Sequence, residues 1–211
     1  MRLKGVTKQM NRQDEMEIRE LSYAEAREIY VYHLRKDFPR SEVKPFSRIR
    51  HGMRKGAYRC FGAFLGNELA GYAFLAYYRL GKTAVGLLDY FAVVTGRRGQ
   101  GLGSEILRQL SPARLSLFCI LIETEQIIPG LADADREIRE RRVRFYERAG
   151  ACRSGVSTRL FGVAFDIFLM TESGKKIDGE MARRLTDYVY RRMYGPLRYT
   201  GTAQVLRLQQ S

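Results

Sequence analysis

The 211-residue sequence contains no tryptophan, three cysteines and two histidines. The cysteines, Cys60, Cys119 and Cys152, are odd in number and far apart, so the sequence supports neither a disulfide framework nor a zinc site. The longest uncharged stretch, residues 69–78, is far shorter than the ~20 residues that a membrane-spanning helix needs. The first ten residues lack the apolar centre of a secretory signal. We therefore expect a cytoplasmic protein with no membrane span and no metal.

Acidic side chains are scarce relative to basic ones, since 23 Asp and Glu face 37 Lys and Arg and leave a net charge of +14. Such a field attracts an anionic partner, for which nucleic acid, an anionic membrane surface and a polyphosphate cofactor are alternatives. A solvated, arginine-rich surface explains the same charge, because the basic residues are scattered along the whole chain. Charge alone leaves these interpretations open.

One mixed α/β domain is predicted, because 45% hydrophobic residues suffice for a single core and no internal repeat is visible. We assign residues 16–195 to this domain, residues 1–15 to a flexible N-terminal tail and residues 196–211 to a C-terminal tail. A predicted helix over residues 180–194 carries an apolar stripe at helical spacing, which indicates that it docks on the domain.

Periodicity and turn residues place the other elements. Ser22 and Glu25 have the capping-box spacing that starts a helix, and Gly66-Asn67 predicts a tight hairpin turn. A turn-rich stretch is predicted after Ala151. Predicted strands cover residues 16–21, 58–65, 69–80, 85–94, 115–125 and 163–170, and predicted helices cover residues 23–37, 46–55 and 133–149, with a further helix ending near residue 110.

Four glycines, at positions 96, 99, 101 and 103, lie between a predicted strand and that further helix. Glycine lets a backbone pass close to a ligand, and a helix start offers amides and the positive end of its dipole, which suits phosphate oxygens. The pattern fails as a Walker loop, because Leu102 and Gly103 follow Gly101 where Lys and Ser or Thr are needed. It fails as a dinucleotide fingerprint, because the third glycine comes one residue early.

The segment Arg98-Gly-Gln-Gly101-Leu-Gly103 resembles instead the Arg-x-x-Gly-x-Gly coenzyme A signature of the GNAT superfamily of N-acetyltransferases. Residues 144–151, RFYERAGA, resemble the family's second signature, a helix that bears a tyrosine and ends in glycine. The order of predicted elements over residues 16–170 is similar too. The resemblance implies an α/β fold with a mixed central sheet of about six to seven strands flanked by helices. It also implies direct transfer of an acetyl group from acetyl-CoA to a primary amine in a ternary complex.

The resemblance also implies site residues, position by position. Loop amides would hold the pyrophosphate, and the backbone of two strand residues would pair with the pantetheine arm, where the Val93 amide would polarise the thioester carbonyl. Tyr146 would protonate the departing thiolate, and a core-facing position beside Phe145 is its alternative. The implied donor-binding residues are Phe91, Val93, Arg98, Gly99, Gln100, Gly101, Leu102, Gly103 and Ser104.

A protonated amine must lose a proton before it attacks a thioester, so a carboxylate is wanted nearby. Two carboxylates at the end of an apolar strand raise at least one pKa. Glu123 and Glu125 are therefore candidates for the base or for binding the substrate ammonium, although a strand end emerging into solvent explains them equally. Asp89, expected on the face of Phe91 and Val93, is a third candidate. Alternation predicts one strand face formed by Leu117, Cys119, Leu121, Glu123 and Glu125.

Alternatives concern the arginines and the cysteines. Arg139, Arg141 and Arg142 stand where the family's second helix has an asparagine and small residues. They bind phosphate or an acidic substrate in one interpretation, and in the one we favour they are mostly solvated in i,i+4 pairs. An acyl-cysteine route is disfavoured, because neither Cys119 nor Cys152 has a histidine close in sequence.

A non-catalytic module that binds coenzyme A or nucleic acid is the competing function. Arginines 183, 184, 191 and 192 favour it, although no nucleic-acid-binding signature is present and we do not expect nucleic acid as the partner. For the enzyme, the acceptor is expected to be a small-molecule or peptide amine. Aromatic and basic residues over 23–55 favour acidic or neutral surroundings of that amine over a polyamine. Dimers are common in the family, so a homodimer is a further expectation.

Overall fold

The computed structural model describes residues 16–195 and 203–207 and shows one eight-stranded mixed sheet with helices on both faces. The N-terminal tail predicted over residues 1–15 lies outside the described residues. Residues 203–207, which the sequence analysis assigned to a C-terminal tail, form a strand instead. That strand pairs with residues 156–160 at one edge of the sheet.

The strand order in the sheet is β1-β2-β3-β4-β5-β7-β6-β8, and only β4 and β5 are parallel neighbours. The Gly66-Asn67 turn joins β2 to β3, as predicted, with Gly66 at φ 59°. The strands are β1 Met16–Glu20, β2 Tyr58–Leu65, β3 Glu68–Leu80, β4 Thr83–Val93, β5 Cys119–Glu125, β6 Ala151–Leu160, β7 Val163–Thr171 and β8 Ala203–Arg207.

The first helical segment begins at the predicted capping box, in which Ser22 and Glu25 satisfy each other's backbone amides. It continues without a break from α1 through a π-helical turn, Tyr30–Leu34, into α2. A π turn holds one more residue than an α turn and often marks a functional region. The helices are α1 Tyr23–Ile29, α2 Arg35–Asp37, α3 Phe46–Arg54, α4 Leu102–Gln109, α5 Asp133–Arg148 and α6 Gly179–Tyr194.

The sheet separates two apolar clusters, which together form the core. On one face, residues of α1, α3 and α6 pack against the sheet around Tyr72, Phe74 and Tyr190, which are fully buried. On the other face, residues of α4 and α5 pack around Leu75, Ile106 and Phe168. We call these the α6 face and the α5 face. No described helix is both long and apolar enough to cross a membrane.

Two segments differ from the predicted elements. The strand predicted from Leu115 begins at Cys119, because residues 112–116 form turns and Ser116 has a φ of 56°. Leu117 therefore packs on the α5 face, whereas Cys119 and Leu121 pack on the α6 face. The turn-rich stretch predicted after Ala151 is the strand β6, whose register shifts between Arg153 and Val156.

Candidate functional site

The two parallel strands at the centre of the sheet separate along their length. β4 and β5 pair only at Val85–Leu87 with Cys119–Leu121, and a gap opens beyond those residues. The Val94 amide donates to the Ala70 carbonyl on β3 at 2.9 Å. Because amides alternate between the two edges of a strand, those of Phe91 and Val93 point away from β3 and into the gap. This edge offers hydrogen-bonding groups to an extended ligand.

The glycine loop follows β4 directly and leads into α4. Gly96, Gly99 and Gly101 have φ values of 91°, 80° and 79°, a region that favours glycine, and an added Cβ at any of them would meet nothing within 4 Å. Gly101 is the N-cap of α4, and no side chain of the described structure caps this helix start. The first amides of a helix lack intrahelical partners. The loop, with the exposed Gln100 at its centre, therefore presents free amides and the positive end of a helix dipole.

One guanidinium holds the loop in place. Arg98 donates to the Val93 carbonyl at 3.1 Å and to the Asp37 carboxylate at 3.0 Å. The other oxygen of Asp37 accepts a hydrogen bond from the Tyr72 hydroxyl at 2.8 Å. The Arg98 side chain is thus an internal brace between β4, the loop and α2.

The start of α4 packs closely on α5. A Cβ added to Gly103 would lie 3.0 Å from the Phe145 ring and 3.3 Å from the Val93 side chain, so only glycine fits without a shift. Leu102 is half-buried. The Ser104 amide already donates to the Gly101 carbonyl at 3.1 Å, which leaves the Ser104 hydroxyl as its group for a ligand.

Tyr146 lies on the α5 face and is 8% exposed. Its ring packs edge-on against Phe145, whose other neighbour is the stacked ring of Phe91 at 5.8 Å. The Tyr146 hydroxyl has no hydrogen-bond partner among the described residues. Every fully buried side-chain oxygen or nitrogen of the described residues does have a partner. The Tyr146 hydroxyl is therefore not fully buried, and it is accessible. Burial of the ring raises the pKa of Tyr146 to about 12, and the nearby Arg142 opposes the rise. The structure thereby brings Tyr146, Phe91 and Gly103 together around one phenylalanine.

Glu123 lies on the opposite, α6 face of the gap, two residues beyond the last β5 residue that pairs with β4. Its carboxylate accepts a hydrogen bond from the Tyr190 hydroxyl of α6, which also bonds Thr158 at 3.1 Å. Burial raises the pKa of the Glu123 carboxyl. The Tyr190 hydrogen bond and the Lys44 ammonium oppose this rise, and the Asp89 carboxylate adds to it.

Asp89 lies beside Glu123 because of a β-bulge. The register of β3 with β4 passes from Phe74–Tyr90 to Leu75–Leu88, which leaves Asp89 as the extra residue. The expectation that Asp89 shares a face with Phe91 and Val93 is therefore wrong, because the bulge breaks the alternation. The carboxylate of Asp89 accepts hydrogen bonds from the Tyr58 hydroxyl and from the Lys44 ammonium, the latter at 2.6 Å.

Glu125 does not share the environment of Glu123. Its carboxylate forms ion pairs with Arg139 at 3.3 Å and Arg142 at 3.2 Å, both from α5. Arg139 also donates to the Gln126 carbonyl and its side chain is only 19% exposed. The i,i+4 pairing is thus wrong for Arg139 and Arg142, because both reach from the helix to β5, although the Arg142 side chain is 44% exposed.

The arginines of α6 are engaged within their own helix. Arg183 and Arg184 pair with Glu180, Arg191 pairs with Asp187, and Arg192 lies over the Tyr188 ring. Because these arginines already have partners within α6, they are less suited to binding the phosphates of a nucleic acid. Among the residues that the structure describes, no group of three or more His, Cys, Asp or Glu side chains is placed to hold a metal ion.

The comparisons with known proteins agree with this geometry. Residues 18–114, slightly under half of the chain, match the model of the Acetyltransferase (GNAT) family. A protein described as a GNAT-family acetyltransferase from Bacteroides thetaiotaomicron has a TM-score of 0.61 at 16% identity, over 85% of this chain and 99% of its own. One from Desulfovibrio desulfuricans has a TM-score of 0.52 at 21% identity, over 74% and 99% of the two chains.

A chimera of the spermidine N-acetyltransferase SpeG from Vibrio cholerae and hSSAT has a TM-score of 0.54 at 16% identity, over 75% of this chain and 96% of its own. No curated protein sequence matches the chain. The structural likenesses define the fold as the mixed α/β fold of GNAT acetyltransferases. Residues 18–114, which include the glycine loop, match this family model, and the match confirms the resemblance given by the loop.

Four residues beside the gap and its loop carry no signal in the sequence that predicts their role: Asp37, Lys44, Tyr58 and Tyr190. Each contacts a residue far along the chain. The Lys44 amide, for example, donates to the hydroxyl of Tyr90, which lies 46 positions later. No local motif marks them. Only the apolar stripe of α6 signalled that Tyr190 would approach the sheet.

Proposed function

We propose that the protein transfers an acetyl group from acetyl-CoA to a primary amine, directly, in a complex that holds both substrates. The observation that carries this proposal is the path formed by the free backbone amides of Phe91 and Val93 at the gap edge and those at the uncapped start of α4. Acetyl-CoA supplies the activated acetyl thioester. An elongated donor with a pyrophosphate at one end and amides along its arm is complementary to this path.

The residues present fit such a donor. The amides of Arg98, Gly99, Gln100, Gly101, Leu102 and Gly103, with the Ser104 hydroxyl, bind the pyrophosphate. Space on the open side of Gly99 and Gly101 admits phosphate oxygens, since a Cβ there would meet no atom within 4 Å. Phe91 and Val93 pair with the pantetheine amides through their backbone. The Arg98 side chain is committed to Asp37 and Val93, so its contribution is to fix the loop.

Glu123 accepts the proton of the acceptor ammonium. It lies at the gap with a raised pKa, which brings a carboxyl closer to the value that suits a base near neutral pH. Glu125 was an equal candidate from the sequence, but two arginines pair with its carboxylate. We therefore give Glu125 the role of holding α5 against β5, and Glu123 that of the base.

Tyr146 protonates the leaving thiolate. Its pKa of about 12 keeps the hydroxyl protonated at neutral pH, and the hydroxyl is accessible beside Phe145 and Phe91. An acyl-cysteine route receives no support, because burial raises the pKa of the Cys119 thiol to about 12 and so keeps it from forming the reactive thiolate.

The acceptor in this proposal is a small-molecule or peptide amine. Spermidine acetyltransferases from Vibrio cholerae share the fold, and one of them forms a dodecamer. The carboxylates of Asp89 and Glu123, with five tyrosines within electrostatic reach, suit a cationic nitrogen. A homodimer remains part of the proposal.

Calorimetric titration with acetyl-CoA at moderate and at high salt tests the donor site. We expect one site per chain that persists at high salt, and its loss when Gly101 and Gly103 are both changed to valine. Gly81→Val is the control for the change at Gly101, because Gly81 also has a positive φ, 58°, in the β3–β4 turn and open surroundings. A folded wild type that binds no acetyl-CoA, or binding that collapses with salt as phosphate tracking does, contradicts the proposal.

A further inference from the structure

Lys44 differs from the other lysines of the described chain. Lys36, Lys55, Lys82, Lys175 and Lys176 are exposed, whereas Lys44 is half-buried. Among these six lysines, Lys44 alone forms an ion pair with a carboxylate. It belongs to the loop between α2 and α3, in the part of the chain that precedes the sheet strands forming the gap.

The backbone of Lys44 is fixed by two tyrosine hydroxyls. Its amide donates to the Tyr90 hydroxyl at 2.8 Å, and that hydroxyl in turn donates to the Glu42 carbonyl at 2.9 Å. The Lys44 carbonyl accepts from the Tyr30 hydroxyl at 3.0 Å. The loop is thereby attached to β4 directly beside the bulge, so the position of the Lys44 side chain is defined by the fold.

The Lys44 ammonium lies at the mouth of the gap. Its Nζ is 2.6 Å from Asp89 Oδ1 and 3.8 Å from the Met193 sulfur. Asp89 and Glu123 each lie two residues beyond Leu87 and Leu121, the last residues that pair β4 with β5. The Phe91 amide, which points into the gap, lies two residues further along β4, a distance of roughly 7 Å at the rise of an extended strand.

The Lys44 ammonium therefore occupies the place that an acceptor ammonium needs, namely a carboxylate contact on the α6 face of the gap within reach of the donor-binding edge of β4. We propose that Lys44 is a self-modification site, whose side-chain amine receives an acetyl group from the donor bound to the same chain. This inference rests on the proposed function of the gap.

The atoms and protons of this step balance with groups of the chain and with the donor of the proposed function. The Lys44 nitrogen gives one proton to the Asp89 carboxylate, which passes it to solvent. The freed lone pair forms a bond to the acetyl carbon, and the carbon–sulfur bond breaks. The nitrogen loses its second proton to solvent, the departing sulfur gains one from the Tyr146 hydroxyl, and solvent returns a proton to that hydroxyl. The products are N-acetyl-lysine at position 44, free coenzyme A and one released proton.

Peptide mass spectrometry of the full chain after incubation with acetyl-CoA tests the proposal. Trypsin cuts after Arg40 and Arg48 but rarely before Pro45, so the peptide of residues 41–48 carries Lys44 with or without its acetyl group. We expect acetylation of Lys44 at least tenfold faster than that of exposed Lys82, at a first-order rate that does not change with protein concentration. The Gly101, Gly103 double variant should lower the Lys44 rate to that of Lys82.

Lys44→Arg is the matched variant, since it keeps the positive charge but offers no primary amine. We expect its intact mass to show no fast acetylation, while acetyl-CoA binding by calorimetry stays within twofold of wild type. Equal rates at Lys44 and Lys82, or a rate that rises with protein concentration, would overturn self-modification. If calorimetry shows acetyl-CoA binding and Lys44 stays unmodified, only this inference fails; if there is no binding, the proposed function itself fails.

Discussion

The Arg98 guanidinium donates to the Asp37 carboxylate at 3.0 Å, across 61 positions of sequence. Because the Tyr72 hydroxyl bonds the second oxygen of Asp37, this carboxylate is held on both sides. The end of α2 therefore holds the glycine loop through this one carboxylate.

Asp37→Asn should weaken acetyl-CoA binding. The substitution removes the charge from a hydrogen bond to Arg98, and such charge-assisted bonds contribute about 1.5–3 kcal/mol. Asp37 is largely covered, with its side chain 12% exposed. We expect a loss of affinity of roughly tenfold, measured by calorimetry.

Glu68→Gln is the control for this experiment. Glu68 pairs with the neighbouring loop residue Arg97, but its side chain is 75% exposed, and exposed pairs contribute little. Its affinity for acetyl-CoA should equal that of wild type. Equal affinities for wild type and Asp37→Asn would show that Arg98 does not fix the loop through Asp37.

Tyr190→Phe should move the acid limb of the activity profile to higher pH. The Tyr190 hydroxyl stabilises the ionised form of Glu123 and so lowers the pKa of that carboxyl against the rise caused by burial. Without it the carboxyl binds its proton more tightly, and a higher pH is needed to generate the base. The measurement is kcat against pH with the best acceptor amine found in a screen. If the acid limb of the kcat profile stays at the same pH in the variant, a group other than Glu123 is the base.

Glu123→Gln should abolish most of the activity and yet raise stability at neutral pH. The folded pKa of Glu123 lies above its ordinary value near 4.5, so the folded state binds the proton more tightly than the unfolded chain does. Stability from this group is complete below the ordinary pKa and falls as pH rises toward the raised one. Glutamine does not ionise and avoids that loss.

Thermal unfolding at pH 4 and pH 7 measures this difference. The midpoint of the Glu123→Gln variant, relative to wild type, should be higher at pH 7 than at pH 4. Glu125→Gln serves as the comparison, because its carboxylate is paired with two arginines and its removal should destabilise the protein at pH 7. The same sign for both variants would count against a raised pKa of the Glu123 carboxyl.

Tyr146→Phe should lower kcat by roughly 10²-fold, the lower end of the range for a general acid, with little change in acetyl-CoA affinity. The hydroxyl has no hydrogen-bond partner among the described residues, so its removal should leave the thermal midpoint unchanged. Steady-state kinetics with a thiol-detecting reagent measures the effect. Full activity in the variant would favour the alternative of a core-facing tyrosine.

Much of the fold could be predicted from the sequence, because most elements obey simple periodicity. The capping box at Ser22 and the hairpin at Gly66 depend on residues within three positions of each other, and both are present in the structure. β6 was missed because its alternation is interrupted. Gly155 has a φ of 71°, and the Ser154 hydroxyl bonds the Ile167 carbonyl and the Val156 amide where the register shifts.

The candidate site also has a part that local sequence predicts and a part that depends on distant residues. The glycine loop carries a local pattern, so its position could be read from the sequence. The partners of Glu123 and Asp89 could not, because they come from a loop 45 residues before Asp89 and from a helix 67 residues after Glu123. The bulge at Asp89 leaves no composition signal, and it decides which face of the sheet that carboxylate occupies.

The π-helical turn at Tyr30–Leu34 determines which way the side chains after it point around the helix axis. Each residue advances an α-helix by about 100°. Deleting one residue from this turn would leave Ile29 in its buried position but rotate everything that follows it by that angle. Leu34 would leave the core, and Asp37 would turn away from Arg98 and Tyr72. One additional residue in a helix far from the loop in sequence thus keeps the loop's anchoring carboxylate pointing at it.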